Sequence, residues 1–183
     1  MADLAAVYPL QNESIDKPSF QVRESQDYGL IRLQVFRHQS AEQVASLLTM
    51  ALPGPGKFFT DSERQIFWAA PGEWILCIPR DQQYSVLALM QEKLPSDLGV
   101  VTLMSDSRTA LLIDGDRHTD VLARGCSVDL HPSVFGAGCC LSARLANVPV
   151  MLAHREDGSL LLFVCRSLAA YLLEWLAANS RDL

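Results

Sequence analysis

A chain of 183 residues, 49% apolar and 20% charged, can bury one sizeable core or two small halves packed together, which excludes a disordered chain. A net charge of −6, with no Lys/Arg run longer than two residues, excludes a nucleic-acid binder, because phosphate recognition needs a clustered basic surface. The longest apolar stretches, such as Leu160 to Cys165, are strand-sized and far short of the ~20 residues that span a bilayer.

Residues 1–18 are polar, contain Pro9 and Pro18, and read as an irregular N-terminal arm. Met1-Ala-Asp-Leu-Ala-Ala has neither a basic n-region nor an apolar h-region, so no signal peptide is expected. From Phe20 the pattern becomes that of strands: Phe20 to Arg23, a turn around Asp27-Tyr28-Gly29, then Leu30 to Phe36 with Ile31, Leu33 and Val35 alternating against polar neighbours. Ser40 and Gln43 have capping-box spacing, and Val44, Leu47, Leu48 and Ala51 form one apolar helical stripe. Pro53-Gly54-Pro55-Gly56 stops that helix. Strands near Gln65 to Ala69 and Trp74 to Ile78 flank the tight turn Ala70-Pro71-Gly72-Glu73. A helix over about Asp81 to Leu94 turns Val86, Leu89, Met90 and Leu94 inward, and a strand from Gly99 to Met104 ends this half.

The second half repeats the order. Arg108 to Ile113 reads as a strand, and Asp116 to Arg124 as a short helix ended by Gly125, a left-handed C′ residue. A loop from Cys126 to Gly138 leads to strands near Cys140 to Leu145, Val148 to Ala153 and Leu160 to Val164, the last two joined by the turn Glu156-Asp157-Gly158. Ser167 caps a final helix to about Ala178, with Leu168, Tyr171, Leu172, Trp175 and Leu176 as its stripe. Gly72 to Lys93 echoes Gly158 to Asn179 at a constant offset of 86 residues, each copy running turn, strand, arginine (Arg80, Arg166) and helix. The order predicts an α+β protein: an arm (1–18) and two β-α-β-β-α-type halves (19–105 and 106–183) packed as one unit, with helices on mixed or mostly antiparallel sheet.

No chemistry-bearing constellation emerges. Gly136-Ala137-Gly138 starts like a dinucleotide fingerprint, but Leu141 holds the third glycine's place and a strand follows where a helix is required. Gly54-Pro55-Gly56 fails in the same way. Adjacent Cys139 and Cys140 point to opposite faces of a strand, which leaves Cys126 and His131 as a two-ligand pair short of a metal site. There is no Gly-x-Ser-x-Gly elbow. The histidines (His38, His118, His131, His154) read as surface groups, and Asp114, Asp116 and Asp120 as helix-start carboxylates. Ser105-Asp106-Ser107-Arg108 reads as a polar turn, and Trp68, Trp74 and Trp175 as core. Leu87 and Leu173 fall off their stripes and suggest a partner surface. Five cysteines without a framework (Cys77, Cys126, Cys139, Cys140, Cys165) point to reduced thiols in a cytoplasmic protein. No catalytic, cofactor-binding or metal residue is therefore assigned.

The tract Leu122 to Ala146 nevertheless resembles a known pattern. Leu122, Ala123, Gly125, Cys126, Asp129, Leu130, Pro132, Phe135 and Gly138 match a run found in the γ-subunit family of heterotetrameric sarcosine oxidases. Pro71-Gly72-Glu73-Trp74 is similar to that family's Pro-Gly-x-Trp turn, and Arg166-Ser167 with Glu174-Trp175-Leu176 to its closing segment. The similarity covers about residues 30–178. It implies a fold like the folate-binding aminomethyltransferase of glycine cleavage, and a non-catalytic subunit docked mainly on an α subunit, with β and δ in the same flavoenzyme complex. Such a complex demethylates sarcosine to glycine and hydrogen peroxide and passes the one-carbon unit to tetrahydrofolate. The resemblance implies that FAD, FMN, NAD, tetrahydrofolate and zinc are held by the other subunits, with no membrane or nucleic-acid partner. A stand-alone folate-binding aminomethyltransferase-like protein, or an assembly factor, is the alternative.

Overall fold

Period-two alternation only hides apolar side chains if something covers each sheet face, and here both faces of both sheets are used. The computed structural model describes residues 8–36, 41–61 and 63–183. One sheet has six strands in the order β1 (Ile15–Lys17), β2 (Phe20–Ser25), β8 (Arg108–Asp114), β11 (Leu160–Cys165), β10 (Val148–His154), β9 (Cys140–Leu145). The other has five: β4 (Phe58–Asp61), β5 (Arg64–Ala70), β6 (Glu73–Pro79), β3 (Tyr28–Val35), β7 (Gly99–Leu103). Every pairing is antiparallel.

Helices α1 (Ala41–Leu48) and α2 (Gln83–Lys93) cover the outer face of the five-stranded sheet, where Val44, Leu48, Met90 and Leu94 meet Ile31, Leu33, Leu76 and Ile78. Helices α3 (His118–Ala123) and α4 (Ala169–Asn179) do the same for the six-stranded sheet through Val121, Leu122, Leu172 and Leu176. The inner faces meet directly. Leu30, Phe58, Phe67 and Cys77 lie against Ala110, Cys140, Met151, Leu161 and Phe163. Phe67 sits at the centre, stacked on Phe58 (centroids 5.0 Å apart) and edge-on to Phe163 (5.5 Å). The result is a helix–sheet–sheet–helix stack. In β11, Leu160, Leu162 and Val164 face the helices while Leu161 and Phe163 face the other sheet, which explains its unbroken apolar run.

The two sheets share one order: β7-β3-β6-β5-β4 repeats as β2-β8-β11-β10-β9, with β1 added at an edge. The echo at offset 86 is visible here, since a 3-10 turn (Arg80–Gln82, then Arg166–Leu168) leads into eleven-residue α2 and α4 at matching positions. One position is filled differently. β7 follows α2 in the chain, whereas its counterpart β2 comes from before β3. The expected turn at Asp27-Tyr28-Gly29 is thus a crossing between sheets: β2 pairs with β8, and β3 starts at Tyr28 in the other sheet.

Several local expectations are corrected. Ile15–Lys17, within the expected irregular arm, is an edge strand, and β4 adds a strand ahead of β5. Residue 40, the expected first cap, lies outside the described residues, and the expected Ser167 cap makes no side-chain capping bond because a 3-10 turn starts the segment instead. That turn moves each helix phase. In α2 the buried positions are Gln83 and Met90, with Leu87 packed on the core, while Leu89 is 49% exposed. In α4, Ala169, Leu172, Leu173 and Leu176 are buried and Tyr171 is exposed, its hydroxyl donating to the Ala146 carbonyl at 3.2 Å. Leu87 and Leu173 are therefore core, not partner surface. Helix α1 stops at Leu48, where Thr49 takes a φ of +53°, leaving Ala51 exposed in the following loop. The turn at Pro71-Gly72 does form, with Gly72 at φ +73° as a type II turn demands and its Cα so close to Val35 that a Cβ would lie 2.8 Å from that carbonyl oxygen.

Gly125 is not left-handed. Its lack of a side chain serves packing: a Cβ there would come within 2.5 Å of Trp175 Cζ2. We expect Gly125→Ala to lower unfolding free energy by about 2 kcal/mol through overpacking, and the same change in a Trp175→Leu background to cost less than about half of that, as read from urea unfolding of the four proteins. A loss unaffected by Trp175→Leu would contradict this contact. The neighbouring Arg124 donates two bonds to Asp182 (2.9 and 2.7 Å), and these hold the carboxyl down to about 2 from an ordinary 3.8. A group lowered on folding stabilises above its unfolded value and loses that contribution as pH falls through the folded one. Asp182→Asn should accordingly flatten the fall in urea midpoint between about pH 4 and pH 2, by a small amount because the pair is exposed.

Candidate functional site

A cavity of about 580 Å³ lies between the sheets. Leu30, Arg32, Glu73 and Ile75 of the five-stranded sheet form one wall, and Ser142, Arg144, Met151 and Phe163 the other. Met104 and Arg108, at the connection from β7 to β8, close one end. Arg32 Nη2 donates to Glu73 Oε2 at 2.8 Å, and Gln34 adds a longer bond at 3.4 Å to the same oxygen. Arg32 Nε is buried without a partner. Arg144 donates to the Asn147 carbonyl at 3.0 Å. The half-buried Arg108 guanidinium makes no hydrogen bond or ion pair among the described residues. Three guanidinium groups thus border a cleft with a single carboxylate, already paired.

Sequence reasoning passed over this site. Arg32 lies between Ile31 and Leu33, so alternation places it on the face away from the helices, which reads as solvent until a second sheet covers it. Arg108 reads as part of a polar turn. The signal available was an arginine between two apolar residues of a strand.

The residues singled out from the sequence do not converge. His131 accepts from Ser133 N–H at Nδ1, and its own N–H donates to Asp129 (2.9 Å), a local turn well occupied without Cys126. His118 and His154 are half-buried, correcting their expected surface placement: His118 Nδ1 bonds the Gly115 carbonyl and His154 Nδ1 the Phe135 carbonyl (2.7 Å). Residue 38 lies outside the described residues. Asp114 accepts from Gly115 N–H, Asp120 pairs with Arg117, and no group of three or more metal-ligating side chains occurs among the described residues. Trp74 is buried, its Nε1 donating to the Pro53 carbonyl at 2.8 Å, and Trp68 and Trp175 are half-buried against core. Gly138 has φ +78°, donates to the His154 carbonyl and accepts from Phe58 N–H, so it stitches β10 to β4 rather than receiving a pyrophosphate.

The tract from Leu122 to Gly138 is consumed by such contacts. Leu122, Leu130 and Phe135 are buried, Gly125 lies under Trp175, and Cys126 bridges to Leu145. A family model described as "Sarcosine oxidase, gamma subunit family" matches residues 37–182. The chain belongs to that family. Among curated relatives, "Sarcosine oxidase subunit gamma" of Corynebacterium sp. (strain U-96) is 29% identical over 111 residues, which are 61% of this chain and 53% of that protein. The Arthrobacter sp. protein of the same description is 29% identical over 94 residues, 51% and 45% of the two chains. The chain spans about half the length of the curated relatives it matches. A chain of the heterotetrameric sarcosine oxidase from Corynebacterium sp. U-96, solved in complex with pyrrole 2-carboxylate, superposes with a TM-score of 0.85 at 23% identity, covering 98% of this chain and 96% of that one. The glycine cleavage system aminomethyltransferase T of Bartonella henselae gives 0.64 at 14% identity, over 86% of this chain and 45% of its own. Both show the α+β fold expected from the sequence. Within the γ-subunit family, the shared tract reads as architecture: it ties α3 to β9, β10 and β4.

All five cysteines are free thiols. Burial pushes Cys77 upward and moves Cys140 up to about 11. Both are protonated at neutral pH and poor nucleophiles. We expect a native titration with a disulfide reagent at pH 8 to modify Cys126, Cys139 and Cys165 first, with Cys77 and Cys140 at least about a hundredfold slower until urea is added. Equal rates for all five would refute the placement.

Proposed function

We propose that this chain is a subunit without a reaction centre of its own in a heterotetrameric sarcosine oxidase. In this reading the complex demethylates sarcosine oxidatively to glycine and hydrogen peroxide, and the one-carbon unit passes to tetrahydrofolate. The observation that carries the reading is the family match over residues 37–182. Its support from the molecule is the way chemistry-bearing side chains are spent on structure: buried Cys77 and Cys140 kept as thiols, His118 and His154 tied to backbone carbonyls, and carboxylates in local turns and surface pairs. The chain docks mainly on the α subunit with β and δ in the same cytoplasmic assembly. FAD, FMN, NAD, tetrahydrofolate and zinc belong to those other subunits.

The likeness to aminomethyltransferase T favours one alternative, a stand-alone folate-binding protein, on fold alone. Affinity purification of the tagged full-length chain from its native host separates the two. A yellow complex with flavin-bearing subunits and sarcosine-dependent peroxide release is expected. A colourless chain eluting alone, or one that binds tetrahydrofolate by itself, would overturn the subunit reading, and oxidation of other N-methyl amino acids without sarcosine would overturn its substrate.

A further inference from the structure

We infer that the cleft between the two sheets is a binding site for a small organic carboxylate with an apolar body. Its volume of about 580 Å³ matches small-molecule sites, and its walls have their composition, mostly apolar with a few converging polar groups. Ile75, Met104, Met151 and Phe163 supply the apolar surface, and both methionines can adapt to a flat or branched ligand. The charge is mainly of one sign, three arginines against one glutamate that is already paired with Arg32. Arg32 is held in place by Glu73, with its guanidinium at the cleft wall and its Nε buried without a partner. Arg108 offers a whole guanidinium with no protein acceptor among the described residues.

The wall chemistry also selects the anion. The backbone N–H groups of β3, β6, β10 and β11 are engaged in ladder bonds with neighbouring strands, so no nest of amides is offered to a phosphate. Planar guanidinium forks remain, and these match a carboxylate in a two-point contact. A cation is disfavoured because the one carboxylate present already has its partner. The subunit reading is not needed for this site, and either can fail without the other.

The test uses the full-length chain with ¹³C-methyl methionine, alone or in its complex, titrated with 2-naphthoate as probe and 2-naphthamide as its uncharged match. Of the five methionines, Met104 and Met151 line the cleft, whereas Met90 is buried on the far, helix-covered face of the sheet. Saturable shifts of the Met104 and Met151 methyl signals are expected, with Met90 unmoved. The dissociation constant should rise at least about tenfold for the amide and for R108Q, whose intact fold is read from an unchanged Met90 signal. R108K should recover only part of the loss, since it keeps the charge and not the fork. Equal affinity for acid and amide, wild-type affinity in R108Q, shifts spread equally to Met90, or no saturation up to about 5 mM would each overturn the proposal. Met104 and Met151 signals that move on assembly with partner subunits but never with 2-naphthoate would overturn it too, and assign the cleft to a protein contact.

Discussion

Phe67 holds this molecule together by standing where two sheets touch. Stacked on Phe58 within its own sheet and edge-on to Phe163 of the other, it makes the inter-sheet layer a packed interior. The other layers follow from that contact. A sheet with its inner face sealed needs helices only on its outer face, and α1 with α2, then α3 with α4, supply them. Strands in the middle of such a stack are covered twice, which is why β11 is apolar at five successive positions. Where the inner faces are not filled by aromatic and aliphatic side chains, the same geometry leaves the cleft, and Arg32 and Arg108 occupy its border.

The mixture of seen and unseen features in the sequence follows from which forces are local. Strands β5, β6, β9 and β10 were legible because alternation and turn chemistry are written within a few residues, Pro71-Gly72 being the clearest instance. The helices were legible as periods, and Val44, Leu48, Met90, Leu172 and Leu176 are buried as expected, but the edges of the stripes were not legible. Each helix follows a 3-10 turn, at Arg80 and again at Arg166, and its buried face takes in Leu87 or Leu173 and leaves Leu89 or Tyr171 outside. Non-local facts left no trace. That β2 leaves its sequence neighbour β3 and pairs with β8 depends on a residue partner far along the chain, and Gly125 looks like a helix stop until Trp175 is placed above it. The cleft was hidden for the same reason, since an arginine facing a second sheet and one facing water have the same sequence pattern.

The chain belongs to the γ-subunit family, and many of its chemistry-bearing side chains are committed to structure. The tract from Leu122 to Gly138 is spent on joining elements, while Cys77 and Cys140 are buried as thiols and His118 and His154 are bonded to backbone carbonyls. The cleft is the exception, because there the polar groups exceed what folding uses.

The strand order shared by the two sheets has a consequence for how the chain comes to be folded. The first sheet is completed by β7, which follows its neighbours, so residues 28–103 contain everything that sheet needs. The second is completed by β2, made well before its inner neighbour β8. During synthesis that strand must wait, paired at most with short β1 and with Phe20 and Val22 uncovered, until Arg108–Asp114 has emerged, and the sheet is finished only after Leu160–Cys165. The molecule therefore closes like a clasp, a segment made before the first sheet locking the half made after it. Loss of that segment would leave β8 as a bare edge, open to pairing with another chain.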